Sequence, residues 1–221
     1  MSIRFRFFVI LIALSVTANC LFGQNDLDTC GQIRLKFDHI NIQDGLSQNI
    51  VYSIYQDSRG FMWFGTADGL NRYDGYDFVI FKPNMNDTFG ISDNRIKDIC
   101  EDKYGNLWVA TLNGLNLFVR NQEKFVRFYA EDNNKNSLTH NAVRVLYYDR
   151  EKNTVWAGTD NGLNRIVLRF PEKEENKDFF NTANYRFFQY KNEQTKEKSL
   201  SNSTVISIAK DAQNRLWFGT K

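Results

Sequence analysis

Residues 57–72 read DSRGFMWFGTADGLNR. The same pattern returns at 102–117 as DKYGNLWVATLNGLNL, at 149–165 as DREKNTVWAGTDNGLNR and at 211–221 as DAQNRLWFGTK. These are four copies of one unit, each centred on a tryptophan: Trp63, Trp108, Trp156 and Trp217. The match extends upstream, where SQNIVYSIYQD, SDNRIKDICED, THNAVRVLYYD and SNSTVISIAKD end in Asp57, Asp102, Asp149 and Asp211. From that Asp to the Trp is six residues in three copies and seven in the third. Successive tryptophans are spaced by 45, 48 and 61 residues, so each motif keeps its internal register while insertions fall in loops.

Each copy reads as four short strands. In the first, Ile50 to Gln56 is strand a, Phe61 to Thr66 strand b, Leu70 to Tyr73 strand c and Tyr76 to Lys82 strand d. The pairs Asp68-Gly69, Asn113-Gly114, Asn161-Gly162 and Asp74-Gly75 accept the positive φ that tight hairpin turns demand, so each strand should run antiparallel to the next. Strand b discriminates between architectures. One face carries Trp63 and Gly65 or their counterparts, and the other carries Met62 and Phe64, Leu107 and Val109, Val155 and Ala157, or Leu216 and Phe218. Both faces are apolar, so both must be covered. A blade of a β-propeller, sandwiched between two neighbours, meets that demand, and a small residue two places after each Trp leaves room where sheets converge. Leucine-rich and helical solenoids fit poorly, because no helical period survives beyond a turn or two.

The expectation is therefore an all-β chain of propeller blades, an incomplete open arc of three four-stranded antiparallel blades and part of a fourth. The layout is 35–46 as an orphan outer strand (Leu35 to Ile42 resembles a strand d), 47–91 as blade 1, 92–138 as blade 2, 139–200 as blade 3 and 201–221 as the start of blade 4. With an orphan strand and half a blade at its ends, the segment is expected to be a fragment of a longer protein. Alone it should form no closed, stable ring, because unpaired edges invite aggregation.

Ahead of the repeats, Arg4 and Arg6 precede an apolar run from Phe7 to Val16 and then small or polar residues, the pattern of a signal peptide over 1–23 with cleavage after 18 or 23. The run is about ten residues, whereas a spanning helix takes roughly 20. Export to the periplasm follows, with 24–34 as a disordered lead-in and lipidation at Cys20 an open option. Net charge is +2, which gives no pull toward nucleic acid or anionic membrane. Three cysteines make no disulfide framework: Cys20 can leave with the leader, Cys30 lies in the lead-in, and Cys100 reads as a buried thiol.

The strings WFGTADGLNRYDG and DGLSQNIVYSIYQDSRG resemble the two-component regulator propeller repeat, and the resemblance runs over about residues 35–221. It implies the periplasmic sensor region of a hybrid two-component system from a polysaccharide-degrading bacterium. In that family two such propellers and a β-sandwich precede a transmembrane helix, a histidine kinase, a receiver and a DNA-binding domain. By resemblance the ligand is an oligosaccharide, the partners are the remaining propeller and sandwich domains of the parent chain, and membrane contact comes only through a downstream helix. The third copy departs from the pattern, with Glu151-Lys152-Asn153-Thr154 in place of the usual Gly-containing turn and Pro171 to Ala183 inserted before strand d. That puts its loops in doubt, not its blade.

Residues present at one offset in every copy specify packing and turns, whereas a ligand site is built from residues that differ between blades. The ligand-binding candidates are therefore Arg72, Tyr73, Asn116 and Arg165, just after the b–c turn, together with Arg95 and Arg144 near the start of strand a. Arginines and aromatics suit sugar hydroxyls and rings. No catalytic residue, cofactor or metal is expected. Only His39 and His140 exist, neither beside a second ligand-type residue at metal spacing, and no phosphate loop or nucleophile elbow occurs. The recurring Asp57, Asp102, Asp149 and Asp211 read as turn residues, and the charged run Pro171 to Asp178 as a solvated loop. Two function classes stay open, a sensor propeller that binds glycan fragments or a partner domain, and a secreted propeller enzyme such as a polysaccharide lyase or glycosidase. Fold alone does not choose between them.

Overall fold

The structure is a computed structural model that describes residues 36–171, 177–193, 195 and 199–221. The expected signal peptide, its cleavage points, Cys20, Cys30 and the lead-in over 24–34 lie outside the described residues, as does most of the charged run at 172–176. Residues Met1–His39 form one unit and Ile40–Lys221 another. Of the first, residues 36–39 are described; they are irregular and exposed, with an ion pair of 3.3 Å between Lys36 and Asp38.

The second unit holds three four-stranded sheets and one two-stranded sheet, every neighbouring pair antiparallel. Blade 1 is β1 (Val51–Gln56), β2 (Met62–Thr66), β3 (Gly69–Tyr73) and β4 (Phe78–Phe81). Blade 2 is β5 (Ile96–Glu101), β6 (Leu107–Thr111), β7 (Gly114–Val119) and β8 (Lys124–Phe128). Blade 3 is β9 (Val143–Asp149), β10 (Thr154–Thr159), β11 (Gly162–Leu168) and β12 (Tyr185–Tyr190), and β13 (Val205–Lys210) pairs β14 (Leu216–Thr220). The first strands pack in a row, β1 on β5, β5 on β9 and β9 on β13. Within this unit the sheets thus form an open propeller arc.

Two apolar layers hold neighbouring blades together. Trp63 and Leu70 of blade 1 pack on Leu107, Val109 and Phe118 of blade 2, and the opposite face of blade 2, with Trp108 and Leu117, packs on Val155, Ile166 and Tyr185 of blade 3. Trp63 and Trp108 are almost wholly enclosed. The space they need comes from the small residue two places on: a Cβ added to Gly65 would sit 2.7 Å from Cγ2 of Ile96, in the next blade's first strand. Gly69 serves a second junction. With φ at +127°, its N–H donates to the Asn94 carbonyl at 2.6 Å, and Gly114 and Gly162 do the same to Asn141 and Ser203. Each b–c turn is thereby stitched to the loop that opens the next blade.

The aspartate of each motif does more than make a turn. In copies 1, 2 and 4 its Oδ1 accepts the backbone N–H groups two and four residues on, and its Oδ2 accepts the indole N–H of the Trp, at 2.7 Å for Asp57, 3.1 Å for Asp102 and 2.8 Å for Asp211. Copy 3, with its seven-residue interval, loses this link, and Trp156 Nε1 and Asp149 Oδ2 are both enclosed without a hydrogen-bond partner. One extra turn residue changes the reach of the carboxylate while Trp156 keeps its place opposite Tyr147 and Arg165.

Residues 36–41, within the expected orphan outer strand, are irregular, and Ile42–Asp44 is a 3₁₀ turn. The turn is fixed locally: the Asn41 side chain accepts the Gln43 N–H, Asp44 accepts the Asn41 N–H, and Gly45 closes it at φ +106°. Just after the charged run of copy 3, Phe179 meets the tilted rings of Phe170 (4.9 Å) and Tyr104 (5.7 Å) and packs on the core between blades 2 and 3.

Candidate functional site

Antiparallel strands alternate direction, so the b–c turns and the connections between blades all lie at one end of the sheets. The sequence candidates divide between that end and the blade faces. Asn116 is a correction. It is fully buried, its Oδ1 accepts the Ser92 N–H at 2.9 Å and its Nδ2 donates to Ser92 Oγ at 2.8 Å, while Ser92 also meets Thr111. Asn71 with Ser47 and Thr66, and Asn164 with Thr139 and Thr159, repeat the arrangement, so Asn116 fastens its loop and no ligand reaches it.

Arg72, Tyr73 and Arg165 lie on sheet faces, because strand c continues the pleat beyond the turn. Arg72 stands over the rings of Phe61 and Trp63, at 5.3 and 5.9 Å, and pairs with Glu123 of blade 2 at 2.7 Å. It is interface material. Tyr73 stacks on Phe78 at 4.5 Å and donates its hydroxyl to the Gly75 carbonyl. Arg165 lies over Phe188 at 4.4 Å, with its Nε enclosed and unpartnered.

Arg95 and Arg144 are at the loop end, each held by a carboxylate. Arg95 grips Asp93 through Nε (3.1 Å) and Nη2 (2.8 Å), and Arg144 grips Asp160 through Nε and through Nη2 at 2.8 Å. Burial works against ionisation of Asp93, yet the Arg95 hydrogen bonds hold it below the usual carboxylate range; the Arg144 hydrogen bonds do the same for Asp160. Beside Asp160, a polar groove of about 660 Å³ is lined by Glu131, Asn134, His140, Asn161, Gln189 and Lys191.

The geometry adds a feature that sequence reasoning missed. Every a–b ladder slips its register once, between Val51 and Ser53, between Ile96 and Asp98, at the Val145 to Val143 step and between Val205 and Ser207. The bulged residues are Tyr52, Lys97, Arg144 and Ile206. A bulge leaves one residue out of the ladder and re-aims its side chain. Val51, Ile96, Val143 and Val205 come before these positions, and the residues after them, Ser53, Asp98, Val145 and Ser207, face the small Gly65, Ala110, Gly158 and Gly219. The bulge residues are all different. Lys97 lies over the Tyr52 ring with Nζ 3.3 Å from its centroid, and burial together with the charge of Arg144 lowers its pKa. Aligning the four copies and asking where an otherwise constant frame varies would have found Tyr52 and Lys97.

Among the described residues no group of three His, Cys, Asp or Glu side chains is placed to hold a metal ion, and no helix is long and apolar enough to cross a membrane. Cys100 packs against the core, and burial pushes its thiol pKa well up.

Comparison with known proteins finds likenesses in sequence and in fold. The model described as two component regulator propeller matches residues 45–68, 90–113 and 199–221. The Histidine kinase P4 of Formosa agariphila is 51% identical over 45 residues, which is 20% of this chain and 3% of that one. Among solved structures, the extracellular domain of a hybrid two component system of B. thetaiotaomicron superposes with a TM-score of 0.68 at 23% identity, over 83% of this chain and 24% of its own length. The extracellular domain of a second B. thetaiotaomicron protein, called a one component system, gives 0.60 at 26% identity with the same coverage. The chain thus spans about a quarter of these extracellular domains and a small part of the kinase. The three matched stretches each hold the Asp–Trp frame, so in those parts the chain is similar to two-component regulator propeller repeats.

Proposed function

We propose that this chain is part of the ligand-sensing propeller of a hybrid two-component signalling protein, exported to the periplasm, and that the ligand is an oligosaccharide released from a complex glycan. The observation that carries the reading is the row of bulges. Copies that share their strand ladders and apolar packing differ where the first strands present a re-aimed side chain, and a ligand site on a repeat scaffold is built from such residues. The adjoining polar groove, rich in amide and carboxylate groups, suits sugar hydroxyls. The kinase, the membrane helix and the partner domains belong to the longer parent in this reading, and the chain itself binds rather than turns over its ligand.

The test is a panel of neutral and acidic oligosaccharides titrated against the full chain, followed by thermal shift and by product analysis. A binder whose affinity falls about tenfold or more in Arg144→Ala supports the reading. No binder at all sinks it, and consumption of a glycan would move the protein to the enzyme class.

A further inference from the structure

The bulge row carries more charge than its own carboxylates balance. Arg95 is matched by Asp93, and Arg144 by Asp160, whose two oxygens are engaged by Nε and Nη2. Lys97, between them on β5, has no carboxylate partner among the described residues. Its sequence neighbour Asp98 is committed elsewhere, with Oδ1 accepting the Ile99 N–H at 2.9 Å and Oδ2 the Leu146 N–H at 2.7 Å. The ammonium rests instead on the Tyr52 ring, and a ring quadrupole offsets only part of a cation's lost hydration. Nη1 of Arg144 is also uncommitted among the described residues. A partly desolvated cation without a counter-ion, on a strand packed against the one that carries Arg144, is an arrangement that an anion relieves.

We propose that the row binds an anionic group of the ligand, a sugar carboxylate or sulfate ester, held between the Lys97 ammonium and the Arg144 guanidinium, with Tyr52 fixing the position of Lys97. This rests on the sensor reading above and narrows it to acidic oligosaccharides. A planar carboxylate or a sulfate oxygen can accept from both cations at once, which gives the site orientation as well as charge. Ile206, at the same register on β13, adds no charge and places the cationic part of the row over blades 2 and 3.

The experiment uses the full chain and three probes of equal length: a galacturonate trisaccharide, a sulfated galactose trisaccharide and the neutral galactose trisaccharide. Affinities are measured by calorimetry at about 50 mM and about 500 mM salt. At least one acidic probe should bind about tenfold or more tighter than the neutral one and weaken at high salt. Which acidic probe does so distinguishes carboxylate from sulfate. Lys97→Gln should remove that preference, Lys97→Arg should keep most of it, and a thermal melt of each variant checks that the fold is intact. Equal binding of neutral and acidic probes, or an unchanged preference in folded Lys97→Gln, overturns the proposal and leaves the sensor reading standing. Binding of none of these probes, nor of any other glycan, overturns both.

Discussion

The interface between blades 1 and 2 and the interface between blades 2 and 3 start from the same motif and surround its aspartate with different partners. At the first, Asp57 Oδ2 accepts from Trp63 Nε1 and also lies 3.1 Å from Arg120 Nη2. Arg120 reaches Glu101 at 3.1 Å, and Glu101 is clamped in turn by the N–H and hydroxyl of Ser58, at 2.8 and 2.6 Å. This network is enclosed, with 6% of the Arg120 side chain exposed and none of Asp57. At the second interface Asp102 has the Trp108 hydrogen bond and its backbone donors but no cation, since the position of Arg120 is Leu168 in copy 3 and that of Glu101 is Tyr148. Burial there raises its pKa to about 6. The company a motif carboxylate keeps is thus decided by side chains that the next blade brings to it, not by the motif that contains it.

Arg120→Met should break the contrast most severely. It leaves Asp57 and Glu101 buried and facing each other without their cation, a loss of about 3–5 kcal/mol and a fall in Tm of roughly 10 °C by calorimetry. Glu101→Gln in the same protein should recover part of it, because it removes one of the two stranded charges. Full additivity of the two substitutions would show that the network is not coupled.

The pH dependence of stability comes next in size. The folded chain holds the Asp102 proton more tightly than the unfolded chain does, so ionising this group costs folding free energy. Its contribution to stability should rise as pH falls through about 6 toward the ordinary carboxylate range, and be lost as pH rises again, with a span of about 3 kcal/mol at most. Asp68, Asp93 and Asp160, held low by their cationic partners, act with the opposite sign. Urea titrations of the parent and Asp102→Asn at pH 5 and 7 separate the two, and an identical pH slope in both proteins contradicts the account.

The smallest effect compares the tryptophans. Trp63→Phe removes a buried hydrogen bond to a carboxylate and should cost about 1.5–3 kcal/mol. Trp156→Phe should cost about 1 kcal/mol or less, because Trp156 is only partly buried and its Nε1 has no partner to lose. Equal losses would mean that the Asp link adds nothing beyond packing.

How much was legible beforehand differs between fold and site. The strands of copy 1 fall within a residue or two of those read from hydrophobic alternation and Asp-Gly turns. A strand is held by a ladder, and residues 36–41, within the expected outer strand, are irregular while Asn41, Asp44 and Gly45 close a local turn. The site was harder. Proximity to a turn suggested Arg72, Arg165 and Asn116, yet the pleat carries strand c straight into the blade interfaces. Tyr52 and Lys97 escaped notice because a bulge is a slip between two strands and leaves no mark in either strand's own alternation.

What the amino-acid order determined by itself is local and repeated: the period of the unit, the strands and turns within it, two apolar faces per strand, and hence blades that must stack. Those follow from rules acting over a few residues, and four copies state them in the same words. Only the tertiary structure decided which carboxylates are charged, which arginines are buried between sheets and which side chains the bulges re-aim. Each of those depends on atoms from a neighbouring strand or blade, at sequence separations of up to about 60 residues, such as Arg120 beside Asp57, where the field and the solvent exposure of a group are set by what packs against it.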